Sequence, residues 1–95
     1  MDSIEVREIR RKLRMNQQQF WSRLGVTQSG GSRYESGRNM PRAVKQLLRL
    51  VHVEQIDIGR VRREDYEVLE YLKAHQAGLY KVLRKQARSK LKQFA

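Results

Sequence analysis

Between Asn16 and Pro41, helix start and stop signals follow one another so closely that only short helices fit, and this spacing constrains the fold more than any other feature of the chain. Asn16 can cap the free amides at a helix start while Gln19, three residues on, reaches back to the Asn16 amide as a capping box. Gly25 supplies a left-handed residue that ends this helix after about two turns, with Phe20 and Leu24 on its buried side. Thr27 caps the next helix, expected from Gln28 to about Ser36 and closed by Gly37. Pro41 then stands where a following helix tolerates a missing amide in its first turn.

The flanks continue the pattern. Val6, Ile9 and Leu13 fall at helical spacing, with Asp2 or Ser3 as cap and Arg7, Arg10, Arg11, Lys12 and Arg14 on the other faces. Val44, Leu47, Leu48 and Val51 share one face after Pro41. Short helices joined by tight turns make a compact all-α unit of four to five helices over residues 1–52.

Residues 53–95 read as a helical extension packed on the same single domain. Val53 to Ile58 is either a brief extended stretch or an irregular linker, and Gly59 breaks the pattern before Glu64 and Asp65 open a helix with acid in its first turn. Tyr66, Leu69 and Leu72 mark the apolar side of that helix. Leu79, Leu83, Ala87 and Leu91 then recur every four residues, with Lys81, Arg84, Lys85, Arg88, Lys90 and Lys92 on the other faces and no acid among them. Periodicity alone leaves open whether Gly78 separates two helices, and a break there is expected.

Twenty-one Lys and Arg against ten Asp and Glu leave a formal net charge of +11, which favours polyanions through release of their counterions. Nucleic acid is the first partner this implies. The chain contains no cysteine, which excludes disulfides, thiolate metal sites and cysteine nucleophiles. His52 and His75 have no metal-pair spacing and read as ordinary core or surface residues, so neither a metal nor another cofactor is expected. No apolar run approaches a membrane span, and the amino terminus alternates charge with aliphatics instead of forming a signal-peptide block, so the chain reads as intracellular and without a membrane partner. Glu64, Asp65 and Tyr66 cluster at a helix start, where capping explains them. No nucleophile-base pair or phosphate-cradling glycine loop occurs, and an enzyme is not expected.

The run from Gln17 to Pro41, with a Gln opening the second helix, Gly25 at the turn, Tyr34 before Glu35 and Gly37 just past the third helix, resembles the helix-turn-helix family of phage repressors, Cro proteins and Xre-like bacterial regulators. The resemblance covers residues 3 to about 52. It implies a second helix crossing the DNA backbone and a third lying in the major groove with its amino-terminal half on base edges. The residues themselves agree, because Gln28, Ser29, Ser32 and Arg33 form a polar face opposite Tyr34 and the glycines. Gln can bond adenine and Arg guanine in two places, each worth ~1 to 3 kcal/mol of discrimination.

By position in the family, Asn16, Gln17, Arg38, Asn39 and Arg42 would touch phosphate, and Arg10 with Glu35 would form a structural ion pair. The chain departs from the pattern at two places. It has Trp21 where a small residue is usual and Gly31 where a branched aliphatic is usual. Large and small are exchanged, so the indole is expected to pack into the space left at Gly31. Gly30 and Gly31 together forgo ~2 kcal/mol of helix propensity relative to alanine, and close approach by Trp21 or by DNA would offset this.

The resemblance implies a sequence-specific transcriptional regulator that binds double-stranded DNA as a two-fold dimer, cytoplasmic and associated with the nucleoid when bound. The apolar stripe within residues 66–91 is the candidate dimer surface, and equally the candidate for extra cover on the monomer's own core. In an alternative reading these helices hold a small protein partner, as in an antitoxin or adaptor.

Overall fold

A computed structural model describes residues 1–94, with side chains through Lys90, and these residues contain no strand. The helices are α1 (Ser3–Lys12), α2 (Gln17–Ser22), α3 (Gln28–Glu35), α4 (Arg42–Leu48), α5 (Arg63–His75) and α6 (Ala77–Phe94). A π-helical turn, Arg49–Val53, prolongs α4. The chain divides into two compact units, Met1–Ile58 and the segment from Gly59 onward.

Local chemistry accounts for most boundaries in the first unit. Asp2 caps α1, accepting the Glu5 amide at 2.8 Å, so that Ser3 lies inside the helix. Asn16 and Gln19 exchange hydrogen bonds of 2.8 and 3.0 Å as a capping box at the start of α2. Thr27 Oγ1 accepts the Gly30 amide at 3.1 Å at the start of α3. Pro41 stands just outside α4 as its N-cap rather than in its first turn, and its carbonyl accepts the Lys45 amide.

The exits of α1, α2 and α3 share one geometry. After each helix a residue of positive φ lets its own amide and the next fold back onto carbonyls of the last turns: Arg14 and Met15, Gly25 and Val26, Gly37 and Arg38. Glycine occupies the left-handed position twice. Arg14 occupies it once, at φ 57°, and bears the steric cost of its Cβ there.

Val6 from α1, Phe20 and Trp21 from α2, Leu24, Met40 and Leu48 from α4 form the core, and Ile9, Leu13, Val26, Tyr34, Val44, Leu47 and Val51 pack around it. Each large side chain buried in this way contributes about 1.5 to 3 kcal/mol, and the few available make a small core that each member matters to. His52 in the π turn joins this core. Its ring stacks on Phe20 with centroids 3.9 Å apart and 10° between planes, and its Nε2 donates to the Phe20 carbonyl at 2.8 Å. The residues after it form no extended pairing; Glu54 and Ile56 turn their amides back onto Arg49 and Leu50.

In the second unit Glu64 and Asp65 occupy the first turn of α5, and Asp65 accepts the Arg62 amide at 3.2 Å. The break between helices falls at Gln76 rather than at Gly78, which lies in the first turn of α6. Gln76 takes φ −138° and ψ 51°, and it serves both neighbours: its amide closes α5 on Leu72 while its carbonyl receives the Tyr80 amide and opens α6. A glycine was not needed, because this φ is open to any residue. Leu72 and Tyr80 are half-buried, whereas Tyr66, Val68, Leu69, Tyr71, Leu79, Val82 and Leu83 are exposed. Leu91, the last member of the stripe, lies outside the described side chains.

Candidate nucleic-acid interface

Glu35, at the end of α3, holds the motif together. It is 3% exposed. Arg10 from α1 grips it with a two-pronged fork, Nη2 at 2.9 Å from Oε1 and Nε at 3.1 Å from each oxygen, while Nη1 donates to the Met15 carbonyl. From α2, Trp21 Nε1 donates to Oε2 at 2.7 Å, and the Gln17 side chain adds a further hydrogen bond. One carboxylate thus accepts from both other helices and orients α3 against them. Burial pushes its pKa up, but the bonds from Arg10 and Trp21, the charge of Arg10 and the bond from Gln17 outweigh burial and hold it below the ordinary value.

Trp21 meets α3 a second time through its ring. A Cβ built on Gly31 would clash with the indole, well inside contact distance of Cδ1 and Cγ and 2.5 Å from Nε1. The ring therefore lies flush on the α3 backbone, held also by an edge contact to Phe20 and a tilted one to Tyr34. Gly30 does not share this role. A Cβ there would face Thr27 Oγ1 at 3.1 Å and Val26 Cγ1 at 3.3 Å, away from the indole.

The opposite side of α3 is open. Gln28, Ser29 and Arg33 are exposed and Ser32 is half-buried. Ser29 Oγ lies 3.4 Å from Thr27 Oγ1, which already caps the helix. Ser36, absent from the face identified by spacing, follows on the same side at the C-cap and donates its hydroxyl to the Ser32 carbonyl at 2.8 Å. Its signal was a seven-residue step from Ser29.

Around α3 the remaining candidates divide. Asn16, Arg38, Asn39 and Arg42 are exposed. Asn16 Oδ1 is occupied by the capping box. Gln17, in the first turn of α2, is half-buried, and its side chain is engaged by Glu35. Among the described residues no group of His, Cys, Asp or Glu could hold a metal ion. Nor is any helix among them long and apolar enough to cross a membrane.

This is the architecture of a helix-turn-helix DNA-binding domain: α2, a glycine turn, and α3 with a free polar face. Residues 7–51 match the family model described as an RsaL-like HTH domain. The match supports that domain at large and not the phage repressor, Cro and Xre-like group in particular. No curated protein and no solved structure matches the chain.

Proposed function

We propose that the protein is a sequence-specific DNA-binding transcriptional regulator that lays α3 in the major groove. The exposed face of Gln28, Ser29 and Arg33, backed by a helix pinned through Glu35, is the observation that carries this reading. Gln28 and Arg33 would bond base edges, Ser29 and the half-buried Ser32 would serve as short-range donors or acceptors, and Asn16, Arg38, Asn39, Arg42 and the amide end at Gln17 would bind phosphate. The assignment follows the resemblance to phage repressors, Cro proteins and Xre-like regulators. The protein would act by binding, without catalysis, in the cytoplasm and on the nucleoid.

The same proposal includes a palindromic operator read by a dimer, and features of the second unit support it. The segments α5 and α6 bury no side chain fully among the described residues, yet carry exposed Tyr66, Leu69, Leu79 and Leu83. Helices of this length gain most of their stability from packing an apolar face. A second copy joined through residues 66–91 would cover these faces and present two α3 helices to two half-sites. The same faces favour a second reading, an antitoxin or adaptor whose α5 and α6 hold a different small protein.

Selection of bound sites from random duplex DNA, repeated with Arg33→Ala and Gln28→Ala, tests the reading. Each variant should lose preference at defined bases by ~5- to 150-fold while keeping non-specific affinity. Uniform weakening, or no preference in the parent protein, refutes it. Sedimentation of the pure protein distinguishes a homodimer from a monomer awaiting another partner.

A further inference from the structure

We propose that the basic face of α6 is a second binding site for the DNA phosphate backbone, separate from the helix-turn-helix. Lys81, Arg84, Lys85 and Arg88 stand at steps of three, one and three, which gathers them within about 100° of the helix circumference. All four are exposed, and none forms an ion pair among the described residues. Leu79, Leu83 and Ala87 occupy the other side of the same helix. The acids of the second unit sit in or before α5, where Glu64, Asp65, Glu67 and Glu70 lie, and α6 contains none.

The segregation has a physical meaning. Solubility alone is served by charges of mixed sign, whereas four like charges at helical spacing repel one another and slightly weaken the helix. A polyanion turns that repulsion into attraction, since each phosphate neutralised releases condensed counterions. From Lys81 to Arg88 the helix rises about 10 Å. One DNA strand presents a phosphate every ~3.4 Å along the axis, so the four cations span about three successive phosphates. This face makes no base contact and would add affinity without preference. The choice of duplex DNA over another polyanion rests on the reading of α3 above, which brings a duplex to this chain.

The test compares the full-length protein with the variant K81Q/R84Q/K85Q/R88Q, in which glutamine preserves helix propensity. A second variant, R7Q/R11Q/K12Q/K73Q, removes the same net charge from elsewhere. Binding to a selected site and to random duplex DNA is measured from 50 to 200 mM salt, with helix content checked by circular dichroism. If two to four of the cations hold phosphates, the slope of log K against log salt falls by about 2 to 4 per chain on both DNAs, more than in the control variant, and base preference is unchanged. A slope equal to that of the control overturns the proposal. So does a result in which the α6 variant loses binding only to vesicles containing phosphatidylserine, which assigns the face to a membrane surface. Loss of base preference in the parent protein, with the slope effect intact, would instead count against the reading of α3 and leave this site standing.

Discussion

Replacing Gly31 by alanine should destabilise the first unit, although the same change in an ordinary helix is stabilising. Gly→Ala in a helix interior gains about 1 kcal/mol from propensity. At Gly31 the added Cβ would clash with indole atoms of Trp21. The ring cannot step aside freely, because Nε1 is bound to Glu35 at 2.7 Å and Phe20 and Tyr34 flank it. Forcing a methyl into such a place costs about 1 to 3 kcal/mol by overpacking, and the upper end applies where the obstacle is a fixed ring. Loss of a buried charge-assisted hydrogen bond to Glu35 adds about 1.5 to 3 kcal/mol if the indole is displaced. The net expectation is a loss of about 2 kcal/mol, or ~8 to 16 °C in the melting temperature of a unit this small. Two other helical glycines provide the scale. Gly78→Ala has nothing within 4 Å of the new Cβ and should be stabilising, and Gly30→Ala, with contacts of 3.1 and 3.3 Å, should be nearly neutral. Trp21 is the single tryptophan, so its fluorescence during urea unfolding reports the first unit directly. In a cycle of Trp21→Ala, Gly31→Val and the double variant, the coupling energy should exceed 1 kcal/mol. Stabilisation by Gly31→Ala equal to that by Gly78→Ala, or additive effects in the cycle, would refute the reasoning.

Glu35→Gln leaves the partly buried Arg10 without its counter-charge and should cost about 3 kcal/mol in urea unfolding, and a near-neutral result would show that the ion pair does not anchor α3. Arg14→Gly should stabilise by about 1 kcal/mol, since the left-handed residue after α1 then carries no Cβ; a loss in thermal unfolding would mean the arginine side chain does more than occupy the turn. Stability should fall with acid in two stages. Burial, partly opposed by the bond to the Phe20 carbonyl and aided by the charge of Arg23, holds the His52 pKa below its ordinary 6.5. The unfolded chain therefore takes up a proton first as pH drops through about 6.5, and this weakens the fold. Glu35 is also depressed, from 4.5, so its contribution is present above that pH and is lost on further acidification. A thermal-unfolding series in pH should show both steps, and His52→Gln should abolish the first alone.

What the sequence determined by itself was carried by interactions within three or four residues, where a residue type marks the turn or cap it makes. The caps at Asn16 and Thr27, the reciprocal bonds of Asn16 and Gln19, and the turns at Gly25 and Gly37 depend on the chain's own backbone, and the signals lie beside the groups they satisfy, whereas the cap of α1, open between Asp2 and Ser3, was settled as Asp2 only by the structure. The free face of α3 was legible for the same reason, since helical spacing orders Gln28, Ser29, Ser32 and Arg33. The left-handed Arg14 was not, because nothing in an arginine marks it. The break at Gln76 was displaced from the nearest glycine for a related reason, as the bend needed no positive φ.

The tertiary structure alone decided which partners meet across helices. The exchange of sizes between Trp21 and Gly31 could be noticed in the sequence, but the donation of the indole N–H to Glu35 depends on how α2 lies on α3. The engagement of Gln17 by Glu35 and the stacking of His52 on Phe20, thirty-two residues away, are likewise properties of packing. In so small a core each of these side chains must satisfy volume and hydrogen bonding together, and that joint solution exists only once the helices are assembled.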